Sequence, residues 1–227
     1  MADYTAQPYL DDGTLKYATA RMPSGDTSVL RPASAAFQPE GGLKMLTGNL
    51  GTSAIKLSAV AADRWIVEAP ALVLEDPHEL RTRFEAGELD RDVVVVVPFQ
   101  GPRANGMPEL HSLTPILGVL QDRGLRVALV TDGRMSGASG KVPAAIHLSP
   151  EAMAGGPLAR VRTGDIIRID GKRGTLDALV DASEFSARTP STRVEHNTYG
   201  LGRELFDLFR RNVGAADQGA SVFGGRL

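Results

Sequence analysis

Cysteine is absent from the 227 residues of this chain. The chain therefore has no thiolates for a disulfide framework, a cysteine nucleophile, a thiolate-ligated zinc site or an iron–sulfur cluster of its own. A strong net charge is also missing, because 25 lysines and arginines face 27 aspartates and glutamates. With no global field to attract polyanions, we expect neither nucleic acid nor an acidic membrane as a partner.

Long hydrophobic runs are missing as well. The longest apolar stretch, from Val93 to Phe99, is far shorter than the roughly 20 residues that a membrane-spanning helix needs. The first residues lack the basic and then apolar segments of a secretory signal. Hydrophobic residues nevertheless make up 42% of the chain, which is typical of a globular domain. These features predict a soluble, cytoplasmic protein.

Glycine and proline, by contrast, are plentiful and indicate the organisation of the chain. Turn-forming pairs recur through the first forty residues with little sustained periodicity between them, so we predict an arm or linker over residues 1–41. The main domain is predicted over residues 42–190. A tail follows over residues 191–227, in which Leu201, Leu205, Leu208, Phe209 and Val213 recur at the intervals of an amphipathic helix.

The middle of the chain predicts a strand–helix–strand unit. Val93 to Pro98 is a β-branched run without alternation, which is typical of a strand that is covered on both faces in a parallel sheet. Apolar residues at helical spacing follow in Thr114 to Asp122, and Leu125 to Val130 is a second apolar strand. We therefore expect a buried βαβ unit.

Shorter patterns flank this unit and predict a mixed sheet content in an α/β fold. A helix is predicted from Asp76-Pro77 to about Gly87. The remaining predicted strands are Leu43 to Leu46, Ile55 to Val60, Trp65 to Leu74, and an antiparallel pair over Asp165 to Asp170 and Thr175 to Val180.

The loop after the first buried strand, from Pro98 to His111, combines glycines with polar groups. Loops at this position hold the ligands of many α/β proteins. Glu109 supplies the hard oxygen ligand that suits Mg²⁺, and His111 is a candidate acid or base. The simpler interpretation is that Glu109 is an acid in the first turn of the following helix.

The loop after the second buried strand, from Thr131 to Pro143, resembles a phosphate-binding loop only superficially. Met135 and Val142 stand where a Walker A motif needs Gly and Ser or Thr, so a nucleoside triphosphatase is excluded. The remaining features are the hydroxyl of Ser136 beside Arg134 and Lys141, and amides able to form an anion-binding nest. Ser136 is a candidate nucleophile or base, and a tight polar turn is the structural alternative.

Three motifs in order carry a resemblance to a known family: Gly48 to Gly51, Gly101 to His111, and Ala128 to Pro143. Together they resemble the C-terminal domain of the dihydroxy-acid dehydratase and 6-phosphogluconate dehydratase family, and the likeness extends from about Gly41 to about Phe223. The branch that acts on 6-phosphogluconate is resembled most closely in four segments: Asn105-Gly106, Gly137 to Lys141, Gly202 to Phe206 and Gln218 to Ser221.

The resemblance implies a swivelling β/β/α domain with mixed sheets that closes over a separate N-terminal domain. It implies a part in the dehydration of 6-phosphogluconate to 2-keto-3-deoxy-6-phosphogluconate, the Entner–Doudoroff step. In the family an iron–sulfur cluster takes the leaving C3 hydroxyl while a base removes the C2 proton. A serine at the position of Ser136 is the proposed base, and Glu109 matches a carboxylate ligand of the family's Mg²⁺.

Other residues receive weaker assignments from their chemistry and position. Arg134, Lys141, Arg103 and Ser139 are candidate ligands of the substrate's carboxylate or phosphate. The resemblance places the cluster cysteines and the other Mg²⁺ ligands in an N-terminal domain, in the same or another chain. We therefore expect the isolated chain to be inactive, with a sugar-acid phosphate as ligand and a homo-oligomer as its assembly.

Two alternatives remain open at this point. The chain could be a stand-alone, non-catalytic module that binds a sugar acid or regulates by binding it. The substrate could also be another sugar acid or a dihydroxy acid of branched-chain biosynthesis, since selectivity depends in part on the missing domain.

Overall fold

The computed structural model describes residues 7–18, 25–38, 41–136, 140–193, 200 and 202–223. The chain divides into two compact units, Met1–Gly41 and Gly42–Leu227. Within the first unit, strands β1 (Gln7–Asp11) and β2 (Thr14–Ala18) form an antiparallel hairpin. Its turn residues Asp12 and Gly13 have φ values of 47° and 73°, the left-handed conformation that an Asp-Gly turn adopts readily. The prediction for residues 1–41 was an arm or linker, and this hairpin was not predicted.

The second unit is built on one mixed sheet of eight strands. The strands are β3 (Leu43–Gly48), β4 (Gly51–Lys56), β5 (Ile66–Val73), β6 (Val93–Val97), β7 (Val127–Thr131), β8 (Ala144–Ser149), β9 (Ile166–Asp170) and β10 (Thr175–Ala178). The sheet closes on itself in the order β10-β3-β4-β8-β7-β6-β5-β9. Four neighbouring pairs are parallel and four are antiparallel.

Five short helices accompany the sheet in the described part of the chain. They are α1 (Glu79–Glu85), α2 (Pro102–Asn105), α3 (Thr114–Asp122), α4 (Ala182–Ala187) and α5 (Asp207–Asn212). The mixed α/β class is therefore confirmed, as one closed sheet rather than several. Among the residues described, no helix is long and apolar enough to cross a membrane.

Strand β6 shows why the closed sheet has two cores. Val94 and Val96 belong to a cluster with residues from all eight strands, which fills the inside of the closed sheet. Val93, Val95 and Val97 belong to the other cluster, where helices α1 and α3 cover the outer face. All five valines are buried, because successive side chains of a strand point to opposite faces. The predicted βαβ unit is confirmed, with β6 and β7 parallel and α3 between them in the chain.

Several predicted bounds were wrong. The strand expected over Ile55 to Val60 is β4, which begins at Gly51 and ends at Lys56. Strand β8 was not predicted. The terminal helix is only α5, on which Leu208 and Phe209 are 68% and 47% exposed, so apolar periodicity there does not reflect burial in this unit. Leu201 lies outside the described residues.

The motif Gly48 to Gly51 helps to close the sheet. Between these glycines, Leu50 is fully buried. The amide of Asn49 bonds both backbone groups of Ala178, accepting from its N–H and donating to its oxygen, each at 2.8 Å. Strands β10 and β3 have a single residue pair in register, so this side chain adds contacts where the backbone ladder is short.

Candidate functional site

The two loops singled out in the sequence lie side by side at one end of the closed sheet. One follows β6 and the other follows β7, and these strands are parallel neighbours. Their carboxyl ends therefore lie at the same end of the sheet, which is the usual location of ligand sites in α/β folds. An isolated bridge between Glu109 and Arg134 joins the two loops directly.

Asp132 is a fully buried carboxylate that connects the two loops through hydrogen bonds. Its Oδ1 accepts a hydrogen bond from the Gln100 N–H at 2.8 Å, and its Oδ2 accepts from Phe99 at 3.1 Å and Ala152 at 2.9 Å. Burial raises the pKa of Asp132 to about 6, although these N–H donors act in the opposite direction and the negative charge of Glu151 adds to the rise. Asp132 was not among the site residues predicted from the sequence.

Glu151 is a second buried carboxylate beneath the same loops. Its carboxylate accepts from the first backbone N–H groups of α2, those of Arg103 at 2.9 Å and Ala104 at 3.2 Å. A Cβ at Gly101 would lie 2.3 Å from the Glu151 Oε2 atom. The glycine of the Gly101-Pro102 motif is therefore required by close packing against a carboxylate.

In contrast to these buried groups, Glu109 is exposed and forms the centre of a polar cluster. Its Oε2 is 2.8 Å from the NH1 of Arg134, and its Oε1 accepts from the backbone N–H of Ser136 at 2.8 Å and of His111 at 3.1 Å. The Nε of Arg134 donates to the Met107 oxygen at 2.8 Å. The fold thus brings Glu109, Arg134 and Ser136 together.

Two histidines flank this cluster. The Nδ1 of His111, the candidate acid or base, is 3.3 Å from the Oγ1 of Thr114. The backbone N–H of His147 donates to the Gly133 oxygen at 2.9 Å. Burial lowers the pKa of His147, and the positive charge of Arg134 lowers it further, so its imidazole is neutral at pH 7.

The other predicted substrate ligands are placed elsewhere. The Nζ of Lys141 is bound to the Asp122 carboxylate at 2.8 and 2.9 Å. The Nε of Arg103 donates to the Val213 oxygen at 3.1 Å, which attaches the tail to α2. Ser139 lies outside the described residues. Neither Lys141 nor Arg103 has a recorded contact with the Glu109 cluster in the described part of the chain.

A cleft of about 1200 Å³ opens beside Glu109 at the ends of β5 and β6. Its lining includes the acidic residues Glu75, Asp76 and Glu79 and the arginines Arg193, Arg203 and Arg210. The three arginines bond to α2 or to one another, and together they are called the arginine wall. The sequence offered only one signal for these arginines, the resemblance of the tail segment Gly202 to Phe206 to one branch of the family.

The donor set fits only part of a magnesium site. Glu109 provides a hard carboxylate of the kind that Mg²⁺ prefers, and it accepts the backbone N–H of Ser136. No group of three or more acidic, histidine or cysteine side chains able to hold a metal occurs among the residues that the structure describes. Mg²⁺ takes six oxygen ligands, so Glu109 alone supplies only part of such a site.

A sequence model of the family "Dihydroxy-acid/6-phosphogluconate dehydratase C-terminal" matches residues 28–220. The chain is 56% identical over 220 residues to the phosphogluconate dehydratase of Pseudomonas aeruginosa, covering 97% of this chain and 36% of that protein. For the Escherichia coli K12 phosphogluconate dehydratase the identity is 51%, covering 97% and 37%. For the dihydroxy-acid dehydratase of Ignicoccus hospitalis it is 36%, covering 87% and 36%. The chain thus spans little more than a third of these relatives.

Proposed function

Because this chain belongs to the C-terminal domain family of the dihydroxy-acid and 6-phosphogluconate dehydratases, we propose that it provides one half of the active site of a dehydratase that converts 6-phosphogluconate to 2-keto-3-deoxy-6-phosphogluconate. The observation that carries the proposal is the cluster in which Glu109 accepts the Ser136 N–H at the joined ends of β6 and β7. The 51% and 56% identities to phosphogluconate dehydratases favour this substrate over a dihydroxy acid.

In the proposed reaction Ser136 is the base. Its oxygen, as an alkoxide, takes the proton from C2 while the C3–O bond breaks. The C3 hydroxyl leaves as hydroxide and takes the proton from the Ser136 hydroxyl to become water, which restores the alkoxide. The enol formed between C2 and C3 then tautomerises to the 2-keto acid. General-base catalysis of this kind contributes about 10²- to 10⁴-fold to rate.

A serine hydroxyl is a weak acid and needs a neighbouring cation to become an alkoxide. Glu109 and Ser136 are the residues of this chain that would hold Mg²⁺, which when bound supplies the positive charge that stabilises the oxyanion. In the described structure Arg134 is the counterion of Glu109 at 2.8 Å. Without cysteine, the chain's residues do not fit an iron–sulfur cluster, which we assign to a second domain.

We further propose that the sheet unit is the swivelling domain of the complete enzyme. The exposed position of Glu109, Arg134 and Ser136 at one edge supports this role, because a domain that closes there would exclude water from a charged substrate. The division into arm, main domain and tail at residues 41 and 190 stays a prediction.

The proposal is tested in a chimera in which this chain replaces the matching third of the Pseudomonas aeruginosa relative. We expect the chimera to form the 2-keto product from 6-phosphogluconate, and Ser136→Ala to reduce that rate by about 10²- to 10⁴-fold. The variant should also abolish exchange of the C2 proton in deuterated water. Ser186→Ala, on the exposed surface of α4, is the matched control and should leave both rates unchanged.

Exchange that persists in Ser136→Ala would contradict the assignment of the base. The isolated chain, supplied with iron and magnesium under anaerobic conditions, should show no turnover, and turnover would refute the half-site. Micromolar binding of 6-phosphogluconate by the isolated chain, together with an inactive chimera, would instead support the stand-alone binding module.

A further inference from the structure

Three arginines form one wall of the cleft beside Glu109: Arg193, Arg203 and Arg210. All three are half-buried, whereas arginine side chains in proteins are mostly exposed. They come from one region of the chain, residues 193–210, and face a cavity large enough for a sugar-acid ligand. Their concentration on one wall indicates a site for an anionic group.

Contacts with α2 and with one another hold the arginines in place. The NH2 of Arg193 donates to the Asn105 Oδ1 at 3.0 Å, and the Asn105 Nδ2 donates to the Gln100 Oε1 at 3.0 Å. The NH2 of Arg203 donates to the Ala104 oxygen at 3.3 Å, and the NH1 of Arg210 donates to the Arg203 oxygen at 2.8 Å. Planar guanidinium groups fixed in this way suit the bidentate binding of phosphate.

The acidic and basic residues of the cleft come from different segments of the chain. Glu75 and Asp76 precede α1 and Glu79 begins it, and Glu79 is paired with Arg83 at 3.2 Å. On the arginine wall, Arg210 and the neighbouring Arg211 share the single carboxylate of Asp207, which leaves this pair with excess positive charge. A ligand with one strongly anionic end would therefore orient that end toward the arginines.

Two of the four segments that resemble the phosphogluconate branch most closely contribute to the lining of this cleft, one through Asn105 and the other through Gly202, Arg203 and Phe206. Resting on the proposed function, we infer that Arg193, Arg203 and Arg210 form the subsite for the phosphate group of a phosphorylated sugar acid. The reacting carbons of that ligand then lie toward Glu109. The Lys141 and Arg103 candidates are engaged at Asp122 and Val213 and are not part of this subsite.

The first test uses the full 227-residue chain and inorganic phosphate as the probe. In ¹⁵N NMR spectra of the guanidinium groups, phosphate at millimolar concentration should shift the Nε–H signals of Arg193, Arg203 and Arg210. Arg91→Gln supplies the matched control, because Arg91 is exposed just before β6 and does not line the cleft. The absence of shifts at the three arginines, or loss of the response in Arg91→Gln, would overturn the inference whatever the activity of the chimera.

The second test measures discrimination in the active chimera. Arg203→Gln should lower kcat/KM for 6-phosphogluconate by about 10- to 100-fold, the loss expected for a charge-assisted hydrogen bond to phosphate, while kcat/KM for unphosphorylated gluconate is unchanged. Arg203→Lys should restore part of the loss, since it keeps the charge without the fork. Equal losses on both substrates would show a structural role only and overturn the inference.

The two proposals fail in different ways. Phosphate shifts in a chain whose chimera is inactive would leave the anion subsite standing and refute the proposed reaction. An active chimera whose preference for the phosphorylated substrate survives Arg203→Gln and Arg193→Gln would refute the subsite and leave the reaction standing.

Discussion

Asp132 and Glu109 are carboxylates in two adjacent loops, and the fold places them in opposite environments. Asp132 has no exposed surface and accepts three backbone N–H groups from two other segments. The side chain of Glu109 is 35% exposed and shares its charge with Arg134. The comparison separates two tasks at one edge of the sheet: the buried carboxylate fixes the loops, and the exposed one is accessible to a ligand or a second domain.

The cost of burial explains this separation. A buried charge is stable only when hydrogen bonds replace its lost hydration, so Asp132 is committed to the N–H groups that surround it. An exposed ion pair contributes about 0 to 1 kcal/mol, so Arg134 holds Glu109 weakly. A divalent cation or a substrate can therefore compete for Glu109 at little cost to the stability of the fold.

Removal of the buried carboxylate should have the largest effect. Asp132→Ala leaves three backbone N–H groups without their acceptor, and each such group costs about 1 to 3 kcal/mol, partly offset by relief of the buried charge. We expect the free energy of unfolding to fall by about 3 to 5 kcal/mol, measured by urea denaturation of the chain. Asp122→Ala, which removes an exposed carboxylate, should change it by less than about 1 kcal/mol.

Removal of the exposed carboxylate should affect activity and not stability. Glu109→Gln in the chimera should reduce kcat at least about 100-fold, equivalent to about 3 kcal/mol of transition-state stabilisation. The free energy of unfolding should change by about 0.5 kcal/mol or less. Glu85→Gln on α1, also exposed, is the control. If the Glu109 variant unfolds at a much lower urea concentration, Glu109 also stabilises the fold, and the two carboxylates do not differ in the way described.

The pKa of Asp132 is raised to about 6 from an ordinary 3.8. The contribution of this buried carboxylate to the free energy of unfolding should therefore depend on pH. The folded state binds the Asp132 proton more tightly than the unfolded state, so this group stabilises the fold at acid pH and loses that contribution as pH rises toward 6. Relative to Asp132→Asn, the unfolding free energy of the chain should fall by about 1.5 kcal/mol between pH 4.5 and 6.

Asp181 provides the control of opposite sign. Hydrogen bonds from Ser183 and from the Glu184 and Ser183 backbone lower its pKa. Its contribution is therefore present above the ordinary pKa of an aspartate and is lost as pH falls through the lowered value. If the difference in unfolding free energy between the chain and Asp132→Asn stays constant from pH 4.5 to 6, the buried carboxylate does not have a raised pKa.

Local pattern was sufficient for the central elements of the fold. The five valines of β6 and the apolar spacing of α3 identify a covered strand and its helix, because burial on both faces leaves a continuous apolar run. Strand β8 was missed, and its residues Ile146 and His147 are only partly buried. The hairpin β1–β2 was missed because the described side chains of its strands are exposed and show no periodicity of burial.

The candidate site was predictable to the extent that its residues belong to recognisable motifs. Glu109, Arg134 and Ser136 were named from the sequence, and the structure brings them into contact. Lys141 was proposed from its position in the same loop, but Asp122 on α3 lies close enough to bind it. The arginines of the cleft wall were not proposed as ligands. Only folding brings them near Glu109, and no local sequence pattern indicates that proximity.

The sequence by itself determined the family, the βαβ unit and the residues Glu109 and Ser136 as candidates, because these depend on motifs and on burial patterns within a few residues. Tertiary structure alone decided the closure of the sheet, the burial of Asp132 and the wall of arginines. Asp132 accepts from Phe99, 33 residues away, and Asn49 bonds Ala178, 129 residues away. The environment of a charge is set by groups that only folding brings near it, and its hydration, its pKa and its partners follow from that environment.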